Sequence, residues 1–216
     1  MNQQLEQEHE VFLLTLTKGG ATVQRLPLGL PIEEMGEVRC KQLQQAAEIL
    51  GVNGLKVLDF PDSGLDQMDP RVIEQAIAEY INEIKPAVLV TLPVHGISGH
   101  PDHLKTHAVV KRVYFDMKDN GSHFLKRLAF ITLSEEIDTK GGPRIFYSQK
   151  EQIDCVLPVR PQDLDAMTRA LSCYTTSPIP VALVVESVKS SIAFELFGED
   201  FKPVLHDLTH GLNAKS

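Results

Sequence analysis

No cysteine pair at CxxC spacing occurs in this 216-residue chain, and its cysteines, Cys40, Cys155 and Cys173, are widely spaced and odd in number. A disulfide framework is therefore not expected, and a reducing, cytoplasmic compartment is. The chain has no Lys/Arg-rich run and a formal net charge of −8, which argues against nucleic acid or an anionic membrane as a main partner. No apolar run approaches the roughly 18 residues that a membrane helix needs. Met1 to Glu10 is rich in Gln and Glu and has no apolar signal-peptide core. The Gly-x-Ser-x-Gly nucleophile elbow is missing. Lys18-Gly19-Gly20 has the spacing of neither phosphate-loop fingerprint, so its glycines read as a tight strand-to-loop turn. There is no internal repeat.

What is present is ordinary globular composition, 43% hydrophobic and 23% charged, in a chain long enough to bury one core. Residues 1–216 are read as a single domain. Val11 to Leu16, Leu55 to Phe60, Ala87 to Leu92 and Leu128 to Leu133 are short apolar runs that suit buried strands. Between them, Glu33 to Leu50, Val72 to Ile84 and the segment from Pro101 to about Lys118 have helical spacing. Asp69-Pro70 is an N-cap followed by proline at the first helical position. Strands alternating with helices indicate βαβ units, hence an α/β, Rossmann-like three-layer sandwich with a mostly parallel sheet over residues 9–135. At Gly141-Gly142-Pro143 the pattern breaks. Residues 140–216 read as a C-terminal extension packed on the sheet, with a strand at Ile153 to Pro158, a helix at Pro161 to Cys173 and a β-branched run at Val181 to Val188.

The densest chemistry lies at Gly99-His100-Pro101-Asp102-His103, with His107 one turn on. A loop that follows a strand and opens a helix is where α/β proteins place their sites. Histidine is the commonest metal ligand, and a neighbouring carboxylate sets its tautomer. Pro101 puts His100 near the helix N-cap, where the dipole favours a developing oxyanion. One histidine can then hold a metal while its neighbour polarises the substrate or protonates the leaving group. The plainer reading is capping chemistry beside a chance histidine pair, and His107 by itself reads as a solvated or capping histidine. Asp62 and Asp66 read as turn formers before sugar contacts, and Cys40 and Cys173 as small core residues.

The run Val94-His95-Gly96-Ile97-Ser98-Gly99-His100-Pro101-Asp102-His103 resembles the second motif of the PIG-L (LmbE-like) zinc de-N-acetylase family. Glu10 to Gly20 resembles its second strand and Thr-x-Gly-Gly turn, Gly36 to Gly51 its Arg-bearing helix, Leu58 to Gly64 its Pro-Asp-Gly-type turn, and Ala193 to Phe197 a C-terminal signature. The resemblance implies one Zn²⁺ and hydrolysis of an N-acetyl group from an N-acetylglucosamine-type amino sugar, a small-molecule partner. It implies that His103 is a zinc ligand, that His100 stabilises the oxyanion with Asp102 orienting it, and that Arg39 lies near the substrate. Self-association is left open.

The family's first motif, a strand ending in His-Pro-Asp-Asp-Glu, is absent from residues 1–216. Two of three expected ligands and the general base are therefore missing, and Asp62, His95, Asp102 and His107 are not at a spacing that demands a substitute site. In this fold the missing strand is central, so its neighbours would be left about 10 Å apart. The expectation is a biological protein that begins one strand earlier, with little hydrolysis by the chain as it stands. The alternative is a non-catalytic relative that binds a sugar or a partner protein. Tyr174 falls where many relatives carry a pocket histidine.

Overall fold

A computed structural model describes residues 1–134, 145–177, 179–188 and 190–212. The break at Gly141-Gly142-Pro143 lies outside the described residues. Helix α1 (Asn2–Glu6) precedes strand β1 (Phe12–Thr17). A single turn, α2 (Arg25–Leu28), and the long helix α3 (Ile32–Leu50) lead to β2 (Gly54–Phe60), which runs parallel to β1 with Leu13 opposite Leu55. Helix α4 (Pro70–Ile84) starts where its sequence says it must: the Asp69 carboxylate accepts the Arg71 N–H at 3.0 Å. Its apolar stripe, Ile73, Ile77 and Ile81, is buried. Strand β3 (Val88–Thr91), helix α5 (Pro101–Asp119) and strand β4 (Arg127–Thr132) complete a second parallel unit.

Beyond residue 145 follow β5 (Cys155–Pro158), α6 (Pro161–Ser172), α7 (Val181–Ser187) and β6 (Ser191–Leu196). The α/β class holds, and the strands form two sheets: β1-β2, and β3-β4-β6-β5. In the larger sheet β3 and β4 are parallel, while β6 runs antiparallel to both β4 and β5. The β-branched run at Val181 folds as a helix, and the strand lies further on at Ser191–Leu196. Propensity is overridden there because β6 is defined by the two strands it pairs with.

The chain divides into two compact units, Met1–Gly64 with Val159–Lys189, and Leu65–Pro158 with Ser190–Ser216. The segment after residue 140 supplies α6 and α7 to the first unit and β5 and β6 to the second. Among the described residues no helix is long and apolar enough to cross a membrane.

In the second unit β4 carries a core on each face, as strand alternation requires. Leu128 and Phe130 pack with Tyr114 and Leu125, while Ala129 packs with Cys155, Phe194, Leu196 and Leu208. Burial pushes the Cys155 thiol up to about 11, so it is an inert core group. Cys40 and Cys173, expected in the core, are only half-buried.

In the first unit Asp163 ties α6 to α1. Its carboxylate accepts from the Arg160 guanidinium at 2.8 Å, from Asn2 at 2.7 Å and from Gln3 at 2.8 Å. These bonds, the Arg160 contact foremost, hold its pKa well below the usual carboxylate range. A carboxyl whose folded pKa is depressed adds stability that is complete above its unfolded value, near 3.9, and is lost as pH falls through the folded value. Between about pH 5 and about pH 3 the unfolding free energy of the protein from urea denaturation is expected to fall more than that of Asp163→Asn, by about 1 kcal/mol. Parallel profiles would show that this carboxylate is not the acid-sensitive group.

Candidate active site

Strand β3 ends at Thr91, and residues 92–100 form the loop that delivers α5. His100 caps that helix: its Nδ1 accepts the N–H of Asp102 at 3.2 Å, and Pro101 follows in the first turn. A backbone N–H can only donate, so this Nδ1 carries no proton and the neutral His100 ring is protonated at Nε2. His103, in the same turn, is set the other way. Its Nδ1 lies 2.8 Å from the Gly96 carbonyl oxygen and 3.2 Å from Ser98 Oγ. A carbonyl can only accept, so Nδ1 of His103 carries the proton and Nε2 keeps its lone pair. Metal-ligating histidines are oriented in this way, with the far N–H tied to a carbonyl or carboxylate. The rings lie 5.4 Å apart between centroids at 48° to one another. One imidazole offers a proton and its neighbour a lone pair.

Gly96 makes the second arrangement fit. Its φ is +62°, and a Cβ there would stand 2.8 Å from the Cβ of His103, so a side chain would displace the ring from its carbonyl.

Asp102 is buried, and its Oδ1 accepts the N–H of Leu65 at 3.0 Å, which ties the first turn of α5 to the 3-10 turn Leu65–Gln67. The Asp102 main-chain N–H is the donor that His100 Nδ1 accepts. His107 is neither solvated nor a cap. It is buried, with Nδ1 2.8 Å from the Leu92 carbonyl and its ring 4.7 Å from that of Phe130. His95, in the same loop, joins a polar chain with Ser148, Thr132 and Glu195. Nothing in the sequence pattern marks Ser148 or Thr132, since both meet His95 only through the fold.

Arg39 belongs to the first unit. Its Nη1 donates to the Thr176 carbonyl at 3.3 Å, and its guanidinium lies 5.5 Å from the centre of the Tyr174 ring. Gln42, buried with Thr176, accepts the Thr176 hydroxyl at 2.7 Å and donates to Thr175 at 3.0 Å. Burial pushes the Tyr174 phenol up, and the Arg39 charge opposes this. A Cβ at Gly19 would fall 2.8 Å from Arg39 Nε, so the Gly-Gly turn also makes room for the guanidinium. Asp62 is a turn former: it accepts from the Thr17 hydroxyl at 3.0 Å and the Ala21 N–H at 2.7 Å.

Zinc at a catalytic site takes three protein ligands and a water. Among the described residues no group of three or more His, Cys, Asp or Glu side chains is placed to hold a metal ion. His103 is one correctly oriented donor, and one donor does not fit the ion.

A family model described as "PIG-L: GlcNAc-PI de-N-acetylase" matches residues 1–114. The 1D-myo-inositol 2-acetamido-2-deoxy-alpha-D-glucopyranoside deacetylase of Kineococcus radiotolerans is 32% identical over 139 residues, covering 52% of this chain and 38% of that enzyme. The chain thus spans well under half the length of that relative. Among solved structures, the zinc-inhibited form of teicoplanin deacetylase superposes with a TM-score of 0.67 at 14% identity, over 90% of each chain. A 4-carboxy-2-hydroxymuconate hydratase from Pseudomonas putida gives 0.69 at 11% identity, over 93% of this chain and 89% of that one. At such identities the likeness shows the fold alone, and a fold shared by a deacetylase and a hydratase does not choose between their chemistries.

Proposed function

Since this chain belongs to the PIG-L family, we propose that it serves in the hydrolytic removal of an N-acetyl group from an N-acetylglucosamine-type amino sugar. The observation that carries this reading is the complementary pair of tautomers at the start of α5. His100 Nε2–H is a donor beside a helix N-terminus, suited to the oxyanion that forms when water adds to an amide carbonyl. His103 Nε2 is a lone pair held in the orientation a divalent cation requires.

Zn²⁺ belongs to the proposal at that nitrogen. Its other ligands and the general base would come from a His-Pro-Asp-Asp-Glu strand, which residues 1–216 do not contain. No reaction step is assigned to the ion, because the residues present do not complete its shell. Arg39, stacked near Tyr174, is proposed to bind substrate. The free cysteines fit a cytoplasmic setting. One domain over 1–216 and a self-associated form are compatible with this role.

The test joins a His-Pro-Asp-Asp-Glu strand to the front of the chain and measures zinc-dependent acetate release from an N-acetylglucosaminyl substrate. Activity is expected, and His103→Ala is expected to remove it. Full activity in His103→Ala would overturn the assignment. A non-catalytic, sugar- or protein-binding role is the second reading, favoured by the lack of a three-donor group among the described residues. Calorimetric titration with zinc separates the two. Tight one-to-one binding by the 216-residue chain would speak against that second role, because other side chains would then be completing the shell.

A further inference from the structure

One polar chain in the second unit has no part in the chemistry described so far. Ser148 and Thr132 are 2% and 3% exposed, and their hydroxyl oxygens are 2.6 Å apart. Ser148 donates its proton to the Glu195 carboxylate on β6. Its oxygen is left to accept, and His95 Nε2 lies 3.4 Å away. The polarity therefore runs from His95 through Ser148 to Glu195, and it requires His95 to be protonated at Nε2. The other end of the ring agrees. His95 Nδ1 accepts the N–H of Ile97 at 3.2 Å, which a protonated Nδ1 cannot do. Burial, the dominant influence, lowers the His95 pKa and keeps the ring neutral, although Glu195 opposes it.

The residue held in this way is itself unusual. Ile97 has φ +62°, a left-handed conformation that a β-branched side chain adopts only under constraint from its surroundings. The Ile97 carbonyl is also held, by the Phe146 N–H at 2.7 Å. The left-handed pair Gly96-Ile97 turns the Gly96 carbonyl inward, where it meets both the Ser98 N–H at 2.7 Å and His103 Nδ1 at 2.8 Å.

We propose that His95 is a positioning residue for His103: anchored through Ser148 to Glu195, it clamps the Ile97 turn, and the turn in turn aims the Gly96 carbonyl that fixes His103 as the Nδ1–H tautomer. The value of that tautomer as a metal donor rests on the proposed function, but the wiring does not. Three substitutions divide the clamp. His95→Asn keeps an acceptor, Oδ1, where Nδ1 was, within reach of the Ile97 N–H, as in an Asx-turn. His95→Gln reaches toward Ser148 and places no acceptor at the Ile97 N–H. His95→Ala removes both.

Long-range ¹H–¹⁵N correlation of the imidazoles of the ¹⁵N-labelled 216-residue chain, near pH 8, reads the His103 tautomer directly; ordinary imidazoles are neutral there, at about 1.5 units above their pKa. The expected result is Nδ1–H in the unmodified protein and in His95→Asn, and loss of that state in His95→Gln and His95→Ala. Circular dichroism identifies a variant that does not fold. If His95→Ala is one, the Asn and Gln pair carries the test. Retention of the tautomer in His95→Gln, or its loss in His95→Asn, overturns the proposal. The readout needs neither metal nor substrate, so a protein that proved inactive on amino sugars would leave this result standing or falling by itself.

Discussion

In a protein carrying the complete donor set, the proposed role of His100 predicts that His100→Ala will lower kcat by roughly 10²–10³-fold, or about 2.7–4 kcal/mol, with little change in KM. In the role proposed for it, the Nε2–H of His100 meets its counterpart only once the carbonyl oxygen has become an oxyanion, so its removal is expected to weaken the transition state and spare the ground state. The substitution also deletes the N-cap of α5, worth about 1 kcal/mol of stability. His100→Asn separates the two contributions. Asparagine caps a helix as well as any residue, yet it places no N–H where Nε2 stood. The Asn variant is expected to melt with the parent and to stay as slow as the Ala variant. Acetate release within tenfold of the parent in His100→Ala would remove this histidine from the chemistry.

Arg127→Met is expected to cost about 3–5 kcal/mol in unfolding free energy, the usual penalty for taking one partner from a buried ion pair. Arg127 is 2% exposed on β4. Its Nε and Nη2 donate to the two Glu199 oxygens at 2.7 and 2.8 Å. The remaining donors go to the Leu208 carbonyl and, at 3.2 Å, to the His210 carbonyl. One guanidinium therefore gathers the segment that follows β6 onto the sheet. Removing it leaves a carboxylate and two carbonyls without their donor. Glu199 has a side chain 28% exposed, so water can serve it, and Glu199→Gln is expected to cost less, about 1 kcal/mol. In a double-mutant cycle the two changes should be strongly non-additive. Urea denaturation measures all four corners, and a loss under about 1 kcal/mol for Arg127→Met would show that the pair is dispensable.

The parallel strands and their helices were legible because their signals are local. The Ile73, Ile77 and Ile81 stripe and the Asp69-Pro70 start each lie within one element, and the structure uses them as the pattern implies. The His-Pro-Asp-His loop was legible for the same reason: capping, proline at the first helical position and the neighbouring histidine all act within one turn. The bond from the Leu65 N–H to the Asp102 carboxylate was not, because its partners lie 37 residues apart. His107 looked like a surface residue until Phe130 and the Leu92 carbonyl enclosed it.

Over residues 9–135, residue order alone determined which segments coil, which extend, and that two imidazoles open one helix, since backbone hydrogen bonding and side-chain periodicity act over a few residues. Tertiary structure decided the rest: that β6 runs antiparallel beside β4, that Arg127 is buried, that Thr176 meets Arg39 across 137 residues, and that Ser148 links His95 to Glu195. Those choices depend on closing long loops and on matching donors to acceptors in a shared interior, and no local pattern encodes either.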